Sequence, residues 1–203
     1  YKARASEFSS TKAAIVRAGG DPTKASLRPI TDYNAIFVPD GYQRSALLAS
    51  ALAFEEFPVG NFRPRQDDLP MGLVGLNAWN NPEWPRRGGD YVRDSVFVDA
   101  FWASDGAPAV RSFVSRWRDR GKGDPTVVEA VGWDAFAVAT AALGAEGADV
   151  AANLLAIEVA EPVSGLHGFM PERTPRRDWI VLTVVQEGIA PLHGASTPAG
   201  DGQ

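Results

Sequence analysis

The chain has 203 residues, 45% of them apolar, with a formal net charge of −5 and a pI near 5.1. That suffices for a sizeable core in one domain or two small lobes, and the acidic balance excludes a nucleic-acid surface, which needs clustered Lys and Arg. With no cysteine, disulfides, thiolate catalysis and cysteine-ligated zinc are excluded, and no uninterrupted run of about 18 apolar residues marks a membrane span.

Residues 1–8 are polar and read as irregular; no signal peptide opens the chain, and Tyr1 is not a native start, so a preceding segment is expected. Ser9-Ser10-Thr11 can cap a short helix, KAAIVRAGG, which Gly19-Gly20 closes. A loop follows from Asp21 to Thr31. Tyr33 to Val38 reads as a strand, its β-branched and aromatic residues suited to burial on both faces. Pro39-Asp40-Gly41 ends it. Tyr42 opens a helix that places Leu47, Leu48, Ala51, Leu52 and Phe54 on a broad apolar face. Pro58 to Pro70 is a long surface loop carrying Arg63, Arg65, Asp67 and Asp68.

The organising stretch is Met71 to Trp102. A short apolar strand (Gly72 to Leu76) runs into the polar turn NAWNNPE, and a second apolar strand covers Ser95 to Phe101. Asn80-Asn81-Pro82 can open a helix between them, with Pro82 suited to the first turn. Ala107 to Arg120 then reads as an amphipathic helix with Val110, Phe113, Val114 and Trp117 on one side. Pro125 sits at the first turn of a long helix from Thr126 to Ala142, and another helix covers Asp149 to Val159. Ser164 to Phe169 is a short strand. Trp179 to Val185 and Ile189 to Leu192 form a hairpin across Gln186-Glu187-Gly188. The small-residue tail at 193–203 is expected to be disordered. Strand and helix alternate from Tyr33 to Phe101, which predicts an α/β fold with a parallel sheet and an antiparallel edge from the hairpin.

Catalytic patterns are absent. There is no GxSxG and no HExxH, and His167 and His193 lie apart in turn-rich regions. Glu55-Glu56 and Asp67-Asp68 read as solvated pairs, Asp94 and Asp99 as a metal pair only with further partners, and Gly88-Gly89 is no phosphate loop. No enzyme activity and no cofactor are expected. A binding cleft is better supported, because Asp40 and Tyr42 follow one parallel strand while Asn77 and Trp79 follow another. Both pairs therefore point to the edge where open α/β sheets hold ligands. Asp40 and Asn77 serve either a ligand or their own turns. Trp79 is either a lid on a pocket or a plug beneath the loop. Trp84, Trp102, Trp117, Trp133 and Trp179 read as packing residues. Arg86-Arg87, Arg173 and Arg176-Arg177 read as solvated charges or a partner-protein contact.

FVPDGY (37–42), GLNAWNNPE (75–83), RGGDYV (87–92), SVFVDAF (95–101), AVGWDA (130–135) and DWIVLTVVQEGIAPL (178–192) occur in this order. Together they resemble the C-terminal part of the type I periplasmic-binding-protein family, in its leucine/isoleucine/valine-binding-like branch. They also resemble the penicillin-binding-protein activator lipoproteins that reuse that fold. The resemblance implies Rossmann-like lobes closing on a small polar ligand, with the N-terminal part missing here. Residues 1–105 would be the remainder of the second lobe with a crossover at 101–105. Residues 106–192 would supply first-lobe helices and the crossover hairpin, and the helix at 126–142 would have little of its sheet to cover.

The resemblance further implies a ligand contact at Tyr42. It also places Asn77 where the family usually carries an acidic group for the ligand's ammonium, so amino-acid specificity carries over less well than the fold. The implied function is extracytoplasmic solute binding for an ABC transporter. The alternative is a ligand-free scaffold of the activator type, contacting cell-envelope proteins. The expected location is the periplasm or the outer membrane, and an N-terminal segment of the same protein is an expected partner.

Overall fold

A computed structural model describes residues 2–27, 33–66, 68–145 and 149–192. The helices are α1 (Lys2–Arg17), α2 (Tyr42–Phe54), α3 (Glu83–Gly88), α4 (Pro108–Arg118), α5 (Val127–Gly144) and α6 (Val150–Ala156). The strands are β1 (Ala35–Phe37), β2 (Gly72–Gly75), β3 (Val96–Asp99), β4 (Leu166–Phe169), β5 (Pro175–Arg177), β6 (Ile180–Val185) and β7 (Gly188–Pro191).

The main sheet has the order β1-β2-β3-β6-β7. β1, β2 and β3 are parallel, with Ala35 opposite Gly72 and Val74 opposite Val96. β6 returns antiparallel to β3 (Phe97 opposite Leu182), and β7 antiparallel to β6. The α/β class, the parallel half and the antiparallel edge thus stand as expected. The hairpin extends the same sheet that residues 35–99 begin, on the side away from β1. β4 and β5 form a separate two-stranded ribbon, and β5, with its run of arginines, had no apolar signal to announce it.

Three expectations need correction. Residues 2–8 are helical, not irregular: α1 begins at Lys2 and absorbs Ser9-Ser10-Thr11, whose hydroxyls bond back to the carbonyls of Ala5, Ser6 and Glu7 instead of capping. β1 is not an interior strand. It is the sheet's edge, and Phe37 is 58% exposed there. In α2 the packed face is the small one, Ser45, Ala46, Ala49 and Ala53, while Leu47 and Phe54 are 73% and 85% exposed. Small side chains let the helix lie close to Trp79 and Trp84, the two largest buried residues, which fill the space beneath it. The tail at 193–203, His193 and Asp67 lie outside the described residues.

Two buried clusters result among the described residues. One centres on Trp79, Trp84, Phe97, Leu73 and Leu182 under α2 and α3; the other joins Phe101, Val110, Phe113, Val114, Ala130 and Val163. α4 faces the second with the side predicted for it. α5 starts with a capping box, Thr126 with Glu129. The hydrogen bonds that the Glu129 carboxylate accepts hold its pKa below the usual value.

α5 buries only Ala130, Asp134, Val138 and Ala142, and it leaves Phe136 (75%) and Leu143 (72%) in the open. By length and mean hydropathy of 1.4 it matches a membrane span, which counting uninterrupted apolar runs had missed. Asp134, near its middle, argues for packing: Oδ1 accepts from Val163 N (3.0 Å) and Oδ2 from Ser164 N and Oγ (2.7 Å each). Arg177 donates in turn to the Ser164 carbonyl at 2.7 Å.

Candidate functional site

The carboxyl ends of β1 and β2 deliver their following residues to one edge of the sheet. After β1 the chain turns at Asp40, whose Oδ1 accepts from Gly41 N at 2.7 Å and whose Oδ2 lies 3.5 Å from Arg44 Nη1. Asp40 is therefore committed to its own turn and to the first turn of α2. Tyr42, at the start of α2, is half-buried against the main core.

After β2 comes a single 3-10 turn, Asn77–Trp79. Asn77 is exposed, and among the described residues its side chain makes no hydrogen bond within the chain; only its carbonyl does, accepting from Asn80 N at 2.9 Å. Its amide is free to donate and accept outward.

Trp79 requires a correction. It is 0% exposed, so it has no surface to offer a ligand and is the plug beneath the loop. Its Nε1 donates to the Asp40 carbonyl (2.9 Å) and to Ser45 Oγ (3.1 Å), and its ring lies 4.4 Å from that of Trp84. Gly75 makes room for it: a Cβ there would stand 2.4 Å from the indole. Trp79 thus joins the two strand ends instead of closing over them. Trp84 is anchored alike, by its Nε1 to Ser95 Oγ at 3.1 Å.

Sequence reasoning missed Asn80. Its Nδ2 donates to Asp99 Oδ2 and to the Phe101 carbonyl, both at 2.8 Å, which fastens the β2 turn to the end of β3. The sequence signal was a carboxylate inside the apolar run SVFVDAF. Asp99 is 1% exposed, and burial raises its pKa against the opposing bonds from Asn80 and the backbone and the charge of Arg177. Its contribution to stability is therefore fully present below the ordinary value of 3.8 and is lost as pH rises through the raised one. Asp94 stands at the other end of β3, so the two do not form a pair. Beside Asn80 an open groove of about 870 Å³ is lined by Phe101, Trp102, Pro125 and Ile189 among others. His167 pairs with Asp178 (Nε2 to Oδ2, 2.7 Å) beside a cavity of about 390 Å³ next to Trp102 and Ile180.

No family model matches the chain, and a search of curated proteins finds no match. Solved structures do match. A putative branched-chain amino acid ABC transporter protein from Rhodospirillum rubrum is 26% identical with a TM-score of 0.62, over 78% of this chain and 44% of its own. The branched-chain amino acid substrate-binding protein LivJ of Streptococcus pneumoniae, in complex with isoleucine, is 18% identical with a TM-score of 0.58, over 89% and 47%. An ABC-transporter solute-binding protein from R. palustris, in complex with benzoate, is 16% identical with a TM-score of 0.55, over 92% and 46%. The chain has the fold of these type I periplasmic binding proteins. It spans less than half their length.

Proposed function

We propose that the chain is part of an extracytoplasmic solute-binding protein of an ABC transporter, and that its sheet edge at Asp40, Tyr42 and Asn77 contacts a small polar ligand without catalysing a reaction on it. The observation that carries this is the unbonded, exposed side chain of Asn77 at the carboxyl end of a parallel strand, where this architecture holds ligands. The ligand is not a standard amino acid. Position 77 carries no charge, and Asp40 is engaged by Gly41 N and Arg44. A buried ammonium without a paired anion costs several kcal/mol, on the order of 1000-fold in affinity, which one amide does not restore. The fold accommodates both cases among its neighbours, one holding isoleucine and another benzoate.

Calorimetric titration with leucine, valine, alanine, glutamate and benzoate tests this. No amino acid should bind the unmodified chain, and Asn77→Glu should introduce amino-acid binding. Micromolar amino-acid binding by the unmodified chain that survives Asp40→Asn would sink the charge argument. Silence toward every ligand, with and without Asn77→Glu, would favour the ligand-free scaffold reading, which the commitment of Asp40 to its own turn supports.

The bare apolar face of α5 supports a further part of this reading, that a preceding segment of the same protein covers Phe136 and Leu143. Phe136→Glu with Leu143→Glu should then leave the unfolding free energy of this chain, read by urea titration, nearly unchanged, within about 0.5 kcal/mol. The same pair should abolish co-purification with a separately expressed N-terminal segment. Co-purification that withstands both substitutions would place the contact elsewhere.

A further inference from the structure

We propose that the depression at the amino-terminal edge of the sheet, opposite the candidate ligand edge, binds a small oxyanion, a phosphate or carboxylate group held by Arg63 with Arg86 and Arg87. α2 and α3 both run from the carboxyl edge to this one. The loop at Asn61–Arg63, the last turn of α3 and the 3-10 turn Gly89–Val92 therefore meet there. They line an open depression of about 650 Å³, within the size range of small-ligand sites.

Its charge balance is positive on a chain whose net charge is −5. Among the described residues three arginines line it against one carboxylate, Asp90, and Asp90 Oδ1 is already 3.5 Å from Arg93 Nη2. Glu83 stands near both Arg86 (2.8 Å) and Arg87 (3.5 Å) and cannot offset two guanidiniums. Those two arginines have a purely structural explanation in the carboxyl end of α3, where cations are favoured.

Arg63 has none. It lies in a loop, and its Nη1 donates to the carbonyls of Gly60 (2.6 Å) and Phe62 (2.8 Å), both neutral. Its Nη2 and Nε have no acceptor among the described residues, and a guanidinium held in one orientation presents a fork that matches an oxyanion.

The frame that holds Arg63 is closely packed. Gly60 has φ +56°, and a Cβ on it would lie 2.1 Å from the Asp90 carbonyl, which also accepts from Asn61 N at 2.8 Å. Phe62 and Tyr91 close the wall edge to face at 5.7 Å. A concave wall of arginines and aromatic rings suits a compact anion better than it suits an extended acidic segment.

The test is an amide NMR titration of the full chain with inorganic phosphate at constant ionic strength, made up with sodium chloride. Saturable shifts confined to 61–63 and 88–91 are expected. Arg63→Gln should weaken them about tenfold or more, the worth of one charge-assisted hydrogen bond. Arg86→Gln with Arg87→Gln, both exposed and outside the packing, should weaken them as well, and the remaining amides should be unmoved in either variant. Shifts that never saturate, or that persist in Arg63→Gln, would overturn the assignment. So would a hexaglutamate peptide that binds here when phosphate does not, since the surface would then serve a protein partner. Failure here leaves the ligand edge at Asn77 untouched, because the two sites lie at opposite ends of the strands.

Discussion

Replacing Trp79 with alanine is expected to lower the unfolding free energy by about 3–5 kcal/mol, the range for deleting a fully buried large aromatic side chain. Such a loss is a large fraction of the stability of an ordinary domain. Three contributions act together here. The indole is 0% exposed, it stacks on Trp84 at 4.4 Å, and its N–H satisfies the Asp40 carbonyl and Ser45 Oγ across the two strand ends. Trp79→Phe should cost less, about 1–3 kcal/mol, because most of the ring volume is kept while the polar bridge goes and part of the slot empties. Urea unfolding with an unchanged m-value checks both. A Trp79→Ala midpoint equal to the parent's would mean that the core of α2, α3 and the sheet does not depend on this plug. Trp179, 50% exposed, is the contrasting site, where alanine should cost far less.

Asp134→Ala should be of similar size, about 3–5 kcal/mol, for a different reason. Removing the carboxylate leaves the amides of Val163 and Ser164 buried without an acceptor, and it removes the partner of Ser164 Oγ. Arg177, which donates to Ser164 at its carbonyl and hydroxyl, then loses the fixed end of its own contact. Hydrogen exchange should show Val163 and Ser164 losing protection while the amides of β2 keep theirs. Asp134→Asn keeps one acceptor and turns the other into a donor aimed at a donor, so it should recover only part of the loss. An Asp134→Ala chain with parental exchange at both amides would show that the junction is held by packing alone.

What could be read from the sequence follows from what the patterns encode. The apolar runs at 72–76 and 95–101 and the hairpin at Gln186-Glu187-Gly188 are local signals, and they gave the sheet its strands and its mixed direction. Burial is not local. Phe37 sits in a run that reads as interior but occupies the sheet's edge, because strand order depends on which neighbours pair. The face of α2 was misjudged for a related reason. Periodicity marks the leucine stripe, whereas proximity to Trp79 and Trp84 selects the serine and alanine stripe.

At the candidate site, the spacing located Asp40, Tyr42 and Asn77 on one edge, but it could not decide between lid and plug for Trp79. That choice turns on whether Gly75, four residues earlier, opens a slot for the indole. Asn80 was missed because an asparagine before Asn-Pro reads as a turn former, and its partners Asp99 and Phe101 are 19 and 21 residues away.

The slot at Gly75 carries a consequence for how such chains can diverge. Any side chain at 75 would intrude on the indole at 2.4 Å, and any smaller ring at 79 would leave the slot unfilled. The two positions are therefore sterically coupled. A side chain at 75 requires a smaller ring at 79, whereas a smaller ring beside Gly75 costs only the part of the slot that it leaves empty.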